Sequence, residues 1–227
     1  MSGFAIAVDG PASSGKGTVA RLVARDLGFA YIDTGAMYRA VALFGDRAGL
    51  DLRDGPGLAA MIPGMRFAFT FNDGAFQISV NGEDISRTIR SQEVGQGASA
   101  VATLPEVRRA LLDTQRGLAT EQGVVMDGRD IGTVVLPQAQ LKVYLDAEVS
   151  VRARRRYEEL AGRGEEVRLA QVLAELQARD EQDSGRAHAP LSRAQDAVAI
   201  DSTDLTPEAI VRQVLRLALA RGARRDP

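Results

Sequence analysis

Near the start of the chain stands Gly10-Pro11-Ala12-Ser13-Ser14-Gly15-Lys16-Gly17-Thr18, a glycine-bracketed run closed by a lysine and a displaced hydroxyl. Glycine backbone can curl tightly around an anion. The N–H groups of the run, and the N-terminus of a helix that follows it, then present partial positive charge. Lys16 is spaced to reach the outer phosphates of a nucleoside triphosphate. One position departs from the general phosphate-loop pattern. Gly17 stands where a Ser or Thr usually meets Mg²⁺, and the hydroxyl falls at Thr18.

A phosphate loop implies a nucleotide but not a reaction. Three further segments carry charge in patterned form: Asp33-Thr-Gly-Ala-Met-Tyr-Arg39, Asp127-Gly-Arg-Asp-Ile-Gly-Thr133 and Arg179-Asp-Glu-Gln-Asp-Ser-Gly-Arg186. Each has a plainer reading when taken alone. Arg179 and Asp183, four apart, could be a helix-surface ion pair. Asp127 and Asp130 could be turn residues, Arg108 a solvated helix residue and Tyr38 part of the core. Arg152, Arg154, Arg155 and Arg156 could be a solvated face balanced by Glu158 and Glu159. The single histidine, His188, reads as a loop residue, and no His or Cys cluster suggests a resident metal site.

The elements that must position these residues follow from hydrophobic period. Residues 4–8 form a continuous apolar run stopped by Asp-Gly-Pro, as a central parallel strand reads. Val19, Leu22, Val23 and Leu27 recur at helical spacing before Gly28, a C-terminal stop. Residues 30–32, 124–126, 141–145 and 197–200 read as further strands. Residues 36–48, 93–102, 105–120, 149–161, 167–182 and 207–220 read as helices. Between 63 and 90 the texture changes. Phe67, Phe69 and Phe71 alternate, and Phe76, Ile78 and Val80 repeat the alternation after Asn72-Asp73-Gly74, a hairpin signal. Strands alternating with helices predict an α/β fold. Ligands in such folds lie beyond the carboxyl ends of the strands, so the charged segments are expected on one side of the sheet.

Bulk properties narrow the class. The 227 residues are 45% hydrophobic and 26% charged with a formal net charge of −2, which suits an ordinary globular protein without a global attraction to nucleic acid or membrane. The chain has no cysteine, which fits a reducing compartment, and no apolar run reaches the roughly 20 residues needed to span a bilayer. The N-terminus lacks the basic region of a signal peptide. A cytoplasmic protein is expected.

The four segments in this order, with Ala189-Pro190-Leu191 after the last, resemble bacterial cytidylate kinase in its longer form, over nearly the whole chain. The G-K-G-T spelling likewise resembles small-molecule nucleotide kinases, which implies Mg²⁺ held mainly by ATP and water, as Mg-ATP, with Thr18 on a phosphate. The resemblance implies a P-loop three-layer α/β fold with a central five-stranded parallel sheet, a small inserted antiparallel β subdomain and a helical lid. The kinase core would comprise 1–62 and 91–227, the insertion 63–90 and the lid about 150–167. It implies that Gly10 to Thr18 bind ATP, that Arg39, Arg129 and Arg186 hold the acceptor phosphate, and that Arg179 and Asp183 lie near the acceptor sugar. Ser99, Arg108 and Asp130 match the cytosine readers; Thr34 and Tyr38 line the same side. Lys16, Arg129 and Arg186, with Arg155 or Arg156 from the lid, would carry catalysis.

The activity so implied is transfer of the γ-phosphoryl of ATP to CMP or dCMP, giving ADP and CDP or dCDP, by a monomer. Cytosine offers an amino donor beside two ring acceptors, so a carboxylate, an arginine and a hydroxyl complement it, whereas uracil would set an oxygen against the carboxylate. Rival readings are a kinase of the same fold acting on UMP or AMP and a P-loop module that binds nucleotide without catalysis. Nucleic-acid binding is a third, disfavoured because no aromatic stacking platform adjoins the arginines.

Overall fold

The computed structural model describes residues 3–72, 75–119 and 123–225, which divide into two compact units. One is formed by the chain up to Tyr31 together with the chain from Glu121 onward; the other is Ile32–Thr120.

A five-stranded sheet in the order β2-β6-β1-β7-β8 is built from β1 (Ala5–Asp9), β2 (Ala30–Asp33), β6 (Val124–Gly128), β7 (Leu141–Asp146) and β8 (Val198–Asp201). β1 runs parallel to both β6 and β7, and β7 parallel to β8. Every residue of β1 and of β6 is buried, which is why these strands read as unbroken apolar runs. The register sets Asp9 opposite both Gly128 and Tyr144. The strand that feeds the phosphate loop and the strand that feeds Arg129 therefore end level with each other.

Helix α1 (Lys16–Leu27) and helix α8 (Pro207–Ala220) cover the sheet, with Val19, Val23, Leu27, Ile210 and Val214 in its core. Gly28, at φ 73°, closes α1 by letting Phe29 N–H return to the carbonyl of Ala24 at 2.9 Å. Helices α6 (Val149–Ala161) and α7 (Leu169–Ser184) pack on each other through Ala153, Leu160, Val172 and Leu176, and this cluster takes in Ala12 of the phosphate loop. A single π-helical turn, Ile131–Val135, follows β6.

The unit Ile32–Thr120 holds α2 (Thr34–Arg47), α3 (Gly55–Met61), α4 (Gln92–Val101), α5 (Pro105–Leu118) and an antiparallel sheet β3-β4-β5 (Phe67–Asn72, Ala75–Val80, Glu83–Asp84). The phenylalanine alternation has its expected outcome, since Phe67 pairs with Val80 and Phe69 with Ile78. The Phe69 and Phe76 rings stack at 5.8 Å. Residues 73 and 74 of the expected turn lie outside the described residues. Among the elements that went beyond the sequence reading, two are in this unit's helices and sheet. The first is the two-residue strand β5. The second is α3, which Asp54 caps by accepting from Gly57 N–H at 3.0 Å, with Pro56 in the first turn. Where α2 and α4 meet, a Cβ on Gly97 would come 3.2 Å from that of Ala42, so the small residue sets how near the two helices lie.

Candidate active site

The phosphate loop adopts the conformation that its composition requires. Gly10 has φ 155°, and a Cβ there would sit 2.0 Å from the carbonyl oxygen of Leu145, so no other residue fits. Ser13 (φ 59°) and Gly15 (φ 88°) are left-handed, the alternation that turns successive N–H groups toward one point. α1 starts at Gly15 with no side-chain cap and no acidic residue in its first turn, which leaves its N-terminal donors and dipole available to an anion.

Lys16 is buried and donates from Nζ to the carbonyl of Pro11 at 2.8 Å. Burial, and then the nearby charge of Arg129, push its pKa down from 10.5 to about 7; Arg179 adds to this, while Asp127 and Asp183 oppose it. A bound polyphosphate reverses that balance. A buried lysine whose charge is disfavoured by burial and by neighbouring cations suits a site that receives negative charge from a ligand.

Asp183 is the hub of the cation group. Arg129 Nε donates to its Oδ2 at 2.7 Å, and Arg186 Nη2 pairs with its Oδ1. Burial pushes the Asp183 carboxyl up, but the charges of Arg129 and Arg186, helped by Arg179, outweigh it and hold the group below its ordinary 3.8. In this unit the structure therefore gathers Lys16, Arg129, Arg179, Asp183 and Arg186, and buries Asp130 in the turn after Arg129. Asp183, assigned by resemblance to the sugar, is here the counter-ion that spaces two arginines. Asp127 accepts from Tyr31 OH at 2.8 Å, and a Cβ on Gly17 would lie 3.4 Å from that hydroxyl, in ordinary contact with it. Thr18 is exposed, as is His188.

The arginines of α6 behave differently from one another. Arg152 is buried and donates to the carbonyl of Ala12 at 3.2 Å, to that of Ala147 at 2.8 Å and to Asp180 at 2.6 Å. Arg155 grips Ser202, at 3.1 Å to Oγ and 2.6 Å to the carbonyl, and Ser202 Oγ donates in turn to the Ser14 carbonyl at 3.1 Å. Arg156 pairs with Glu159 at 2.8 Å. For Arg155 or Arg156 to reach a phosphate, these bonds must be exchanged. Arg152 and Ser202 donate to the loop's carbonyls and Asp180 pairs with Arg152; sequence reading assigned these supports no role, naming Arg152 only as one of four similar arginines. Only the burial of an arginine in a polar run distinguishes the first.

In the unit Ile32–Thr120, Asp33 caps α2 by accepting from Ala36 N–H at 2.9 Å, with Thr34 buried at the first turn. The next turn carries Tyr38 and Arg39. Arg39 Nη1 donates to the Ile89 carbonyl at 2.9 Å and lies 3.6 Å from where a Cβ on Gly95 would be. Ser99, one turn along α4, bonds back to the Gly95 carbonyl at 3.2 Å. Arg108 lies over the Tyr38 ring, 5.6 Å from its centroid, and donates to the Ala102 carbonyl at 3.3 Å.

The sequence pattern of the family described as cytidylate kinase matches residues 6–220. The chain belongs to that family. It is 46% identical over 225 residues to the cytidylate kinase of Geobacter sp. (strain M21), covering 99% of this chain and 97% of that one. It is 47% identical over 210 residues to the cytidylate kinase of Pasteurella multocida (strain Pm70), covering 92% of each chain. Among solved structures, an uncharacterized protein from Eubacterium ventriosum matches at a TM-score of 0.53, with 10% identity over 94% of this chain and 97% of that chain. That last likeness speaks for the fold alone. Family membership accounts for a phosphate loop accompanied by more arginines than one triphosphate needs.

Proposed function

We propose that the chain transfers the γ-phosphoryl group of ATP to CMP or dCMP. An oxygen of the acceptor phosphate attacks the γ-phosphorus, the bond from that phosphorus to the ADP oxygen breaks, and a new phosphoanhydride forms in CDP or dCDP. A phosphate monoester oxygen is already nucleophilic, so the reaction asks for alignment and charge neutralisation rather than a covalent intermediate. The observation that carries the reading is the convergence of Lys16, Arg129 and Arg186 around Asp183. A protein that only held ATP would have no use for this second group of cations.

The loop N–H groups from Gly10 to Thr18 and Lys16 take the donor phosphates. Arg39, Arg129 and Arg186 take the acceptor phosphate and spread the charge that builds in the transition state. Asp130 accepts from the cytosine amino group, Arg108 and Ser99 serve its ring acceptors, and Tyr38 and Thr34 line that side. Arg179, with Asp183, faces the sugar. Among the described residues no group of three His, Cys, Asp or Glu stands close enough to hold a metal. The donor set thus suits Mg²⁺ that arrives on ATP and takes its ligands from phosphates and water. Among the described residues no helix is long and apolar enough to cross a membrane. From the family resemblance we read the enzyme as a cytoplasmic monomer.

The deciding experiment is incubation with Mg-ATP and CMP, dCMP, UMP or AMP in separate reactions, with chromatographic detection of the diphosphates. CDP and dCDP should form at rates well above UDP and ADP made from AMP. Equal turnover of UMP would remove the role given to Asp130, and ATP binding without any diphosphate would leave a non-catalytic module.

A further inference from the structure

One buried carboxylate beside the phosphate loop has no task in the reaction just described. Asp9 ends β1, immediately before Gly10, and is 4% exposed. Its two oxygens accept from two successive backbone N–H groups, Ile131 at 2.8 Å and Gly132 at 2.7 Å. These donors open the π-helical turn Ile131–Val135, which receives no side-chain cap from its own N-cap residue, Asp130. Asp9 supplies that cap from another strand. The two residues before the capped pair are Arg129 and Asp130, and Arg129 is tied at its far end to Asp183. Gly132 makes room for the arrangement. A Cβ there would lie 3.3 Å from Asp9 Oδ2 and 3.1 Å from Lys142 Cδ.

We propose that Asp9 is a positioning residue for the acceptor side of the reaction: by clasping the backbone at Ile131 and Gly132 it sets the aim of Arg129 and Asp130 while touching neither substrate. The inference rests on the roles given above to those two residues.

A clasp kept only for folding would be poorly chosen. Burial raises the Asp9 carboxyl from 3.8 to about 6, against the lowering effect of its two N–H bonds. Asp130 in the capped turn raises it further, and Lys16 from α1 lowers it. From β7, Tyr144 faces the same charge, and Lys142 brings its stem alongside while its ammonium pairs with Asp196 at 2.9 Å. A carboxyl whose folded pKa lies above its unfolded value contributes most when protonated. Its contribution to stability therefore falls as pH rises from about 4 to about 6. At neutral pH the charged clasp is retained at a cost to folding, which suits a residue kept for geometry.

Asp9→Asn imitates the protonated carboxyl and supplies the test. The amide keeps one acceptor oxygen and turns an NH₂ toward the other backbone donor, so half of the clasp is lost, while the variant's ATP affinity should change by less than about threefold. Its kcat/KM for CMP should fall by about 10- to 100-fold, as displaced reacting groups imply. The acceptor phosphate itself titrates near about pH 6, so acid will weaken both proteins. Only the wild type should show a second titration beneath that one. Backbone amide exchange at Ile131 and Gly132 should quicken in the variant whatever acceptor the enzyme uses. Gly132→Ala, pressing on the clasp from the other side, should depress kcat/KM for CMP in the same direction. Unchanged amide protection, superimposable pH profiles, or equal losses toward ATP and CMP would each overturn the proposal. Failure of the underlying reading looks different: the wild type itself would then make no CDP.

Discussion

Around Asp183, side chains are held by charge; around Tyr38, they are held by backbone carbonyls and an aromatic face. Arg129 and Arg186 share one buried carboxylate, and Lys16 sits close enough to feel both Arg129 and Asp183. In the unit Ile32–Thr120, by contrast, Arg39 and Arg108 each donate to a carbonyl, Ser99 to its own helix, and Arg108 rests on a ring. Groups that meet phosphate must stay fixed while a large charge moves, and a shared counter-ion in a dry setting resists displacement. Groups proposed to read a base need direction more than strength, and a carbonyl acceptor and a ring face supply direction to Arg108. On this view, substitutions in the first set should reach stability or turnover broadly. Those at Ser99 and Arg108 in the second should change discrimination and little else, whereas Arg39, proposed to meet the acceptor phosphate, should also reach turnover.

The largest effect is expected at the hub. Asp183→Ala leaves two arginines facing each other without their counter-ion, and removing one partner of a buried pair costs about 3–5 kcal/mol. Chemical denaturation should register that loss at neutral pH. It should shrink as pH falls below about 4, because the wild-type carboxyl, whose folded pKa is depressed, then protonates too and gives up the same contribution. A loss of stability no larger than that of an average surface substitution would mean that the arginines do not depend on Asp183. Next comes Lys16→Ala. Removing one preorganised donor to a developing charge costs about 2.7–4 kcal/mol, or 10²–10³-fold in kcat, with Tm nearly kept because the bond given up is to a single loop carbonyl, that of Pro11. Near-normal turnover would refute the phosphate-loop assignment.

How much of this was legible beforehand follows from the distance over which each signal acts. β1, the glycines of the loop and the stop at Gly28 are spelled by neighbours in the chain, and all came out as read. The gathering of Arg129, Asp183 and Arg186 was legible only through family resemblance, since no period connects residues 54 positions apart. The supports beneath it were not legible at all. Asp9 reaches a turn 122 residues on, Ser202 reaches back 188 residues to Ser14, and Arg152 finds Asp180 across 28. Such contacts arise from strand order, which composition does not encode. Four arginines in α6 look alike on paper; helix phase decides that Arg152 is buried and Arg156 pairs on the surface. Short elements failed for another reason, as β5 has too few residues for a period to show.

Asp130 sharpens the comparison, because it belongs by burial to the first region and by proposed role to the second. If role decides, Asp130→Ala should raise KM for CMP by the cost of one unpaired polar contact, about 1–3 kcal/mol, while ATP affinity holds. It should also erode the preference over UMP, since the carboxylate that repels the uracil oxygen is gone. If burial decides, ATP and CMP binding will weaken together. Isothermal titration with each nucleotide separates the two outcomes.

The smallest effect probes the ring itself. Arg108 stands 5.6 Å from the Tyr38 centroid, a half-buried cation–π contact worth about 0.5–1 kcal/mol. Tyr38→Leu keeps apolar bulk but removes the π face, so the guanidinium loses part of what orients it toward the base. KM for CMP should rise about two- to fivefold by that energy, with kcat and ATP affinity unchanged. Tyr38→Phe keeps the ring and should stay close to wild type. If Phe behaves like Leu, the phenol hydroxyl and not the ring face is what the site uses. Arg108 would then take its direction from contacts other than the ring face, the Ala102 carbonyl among them.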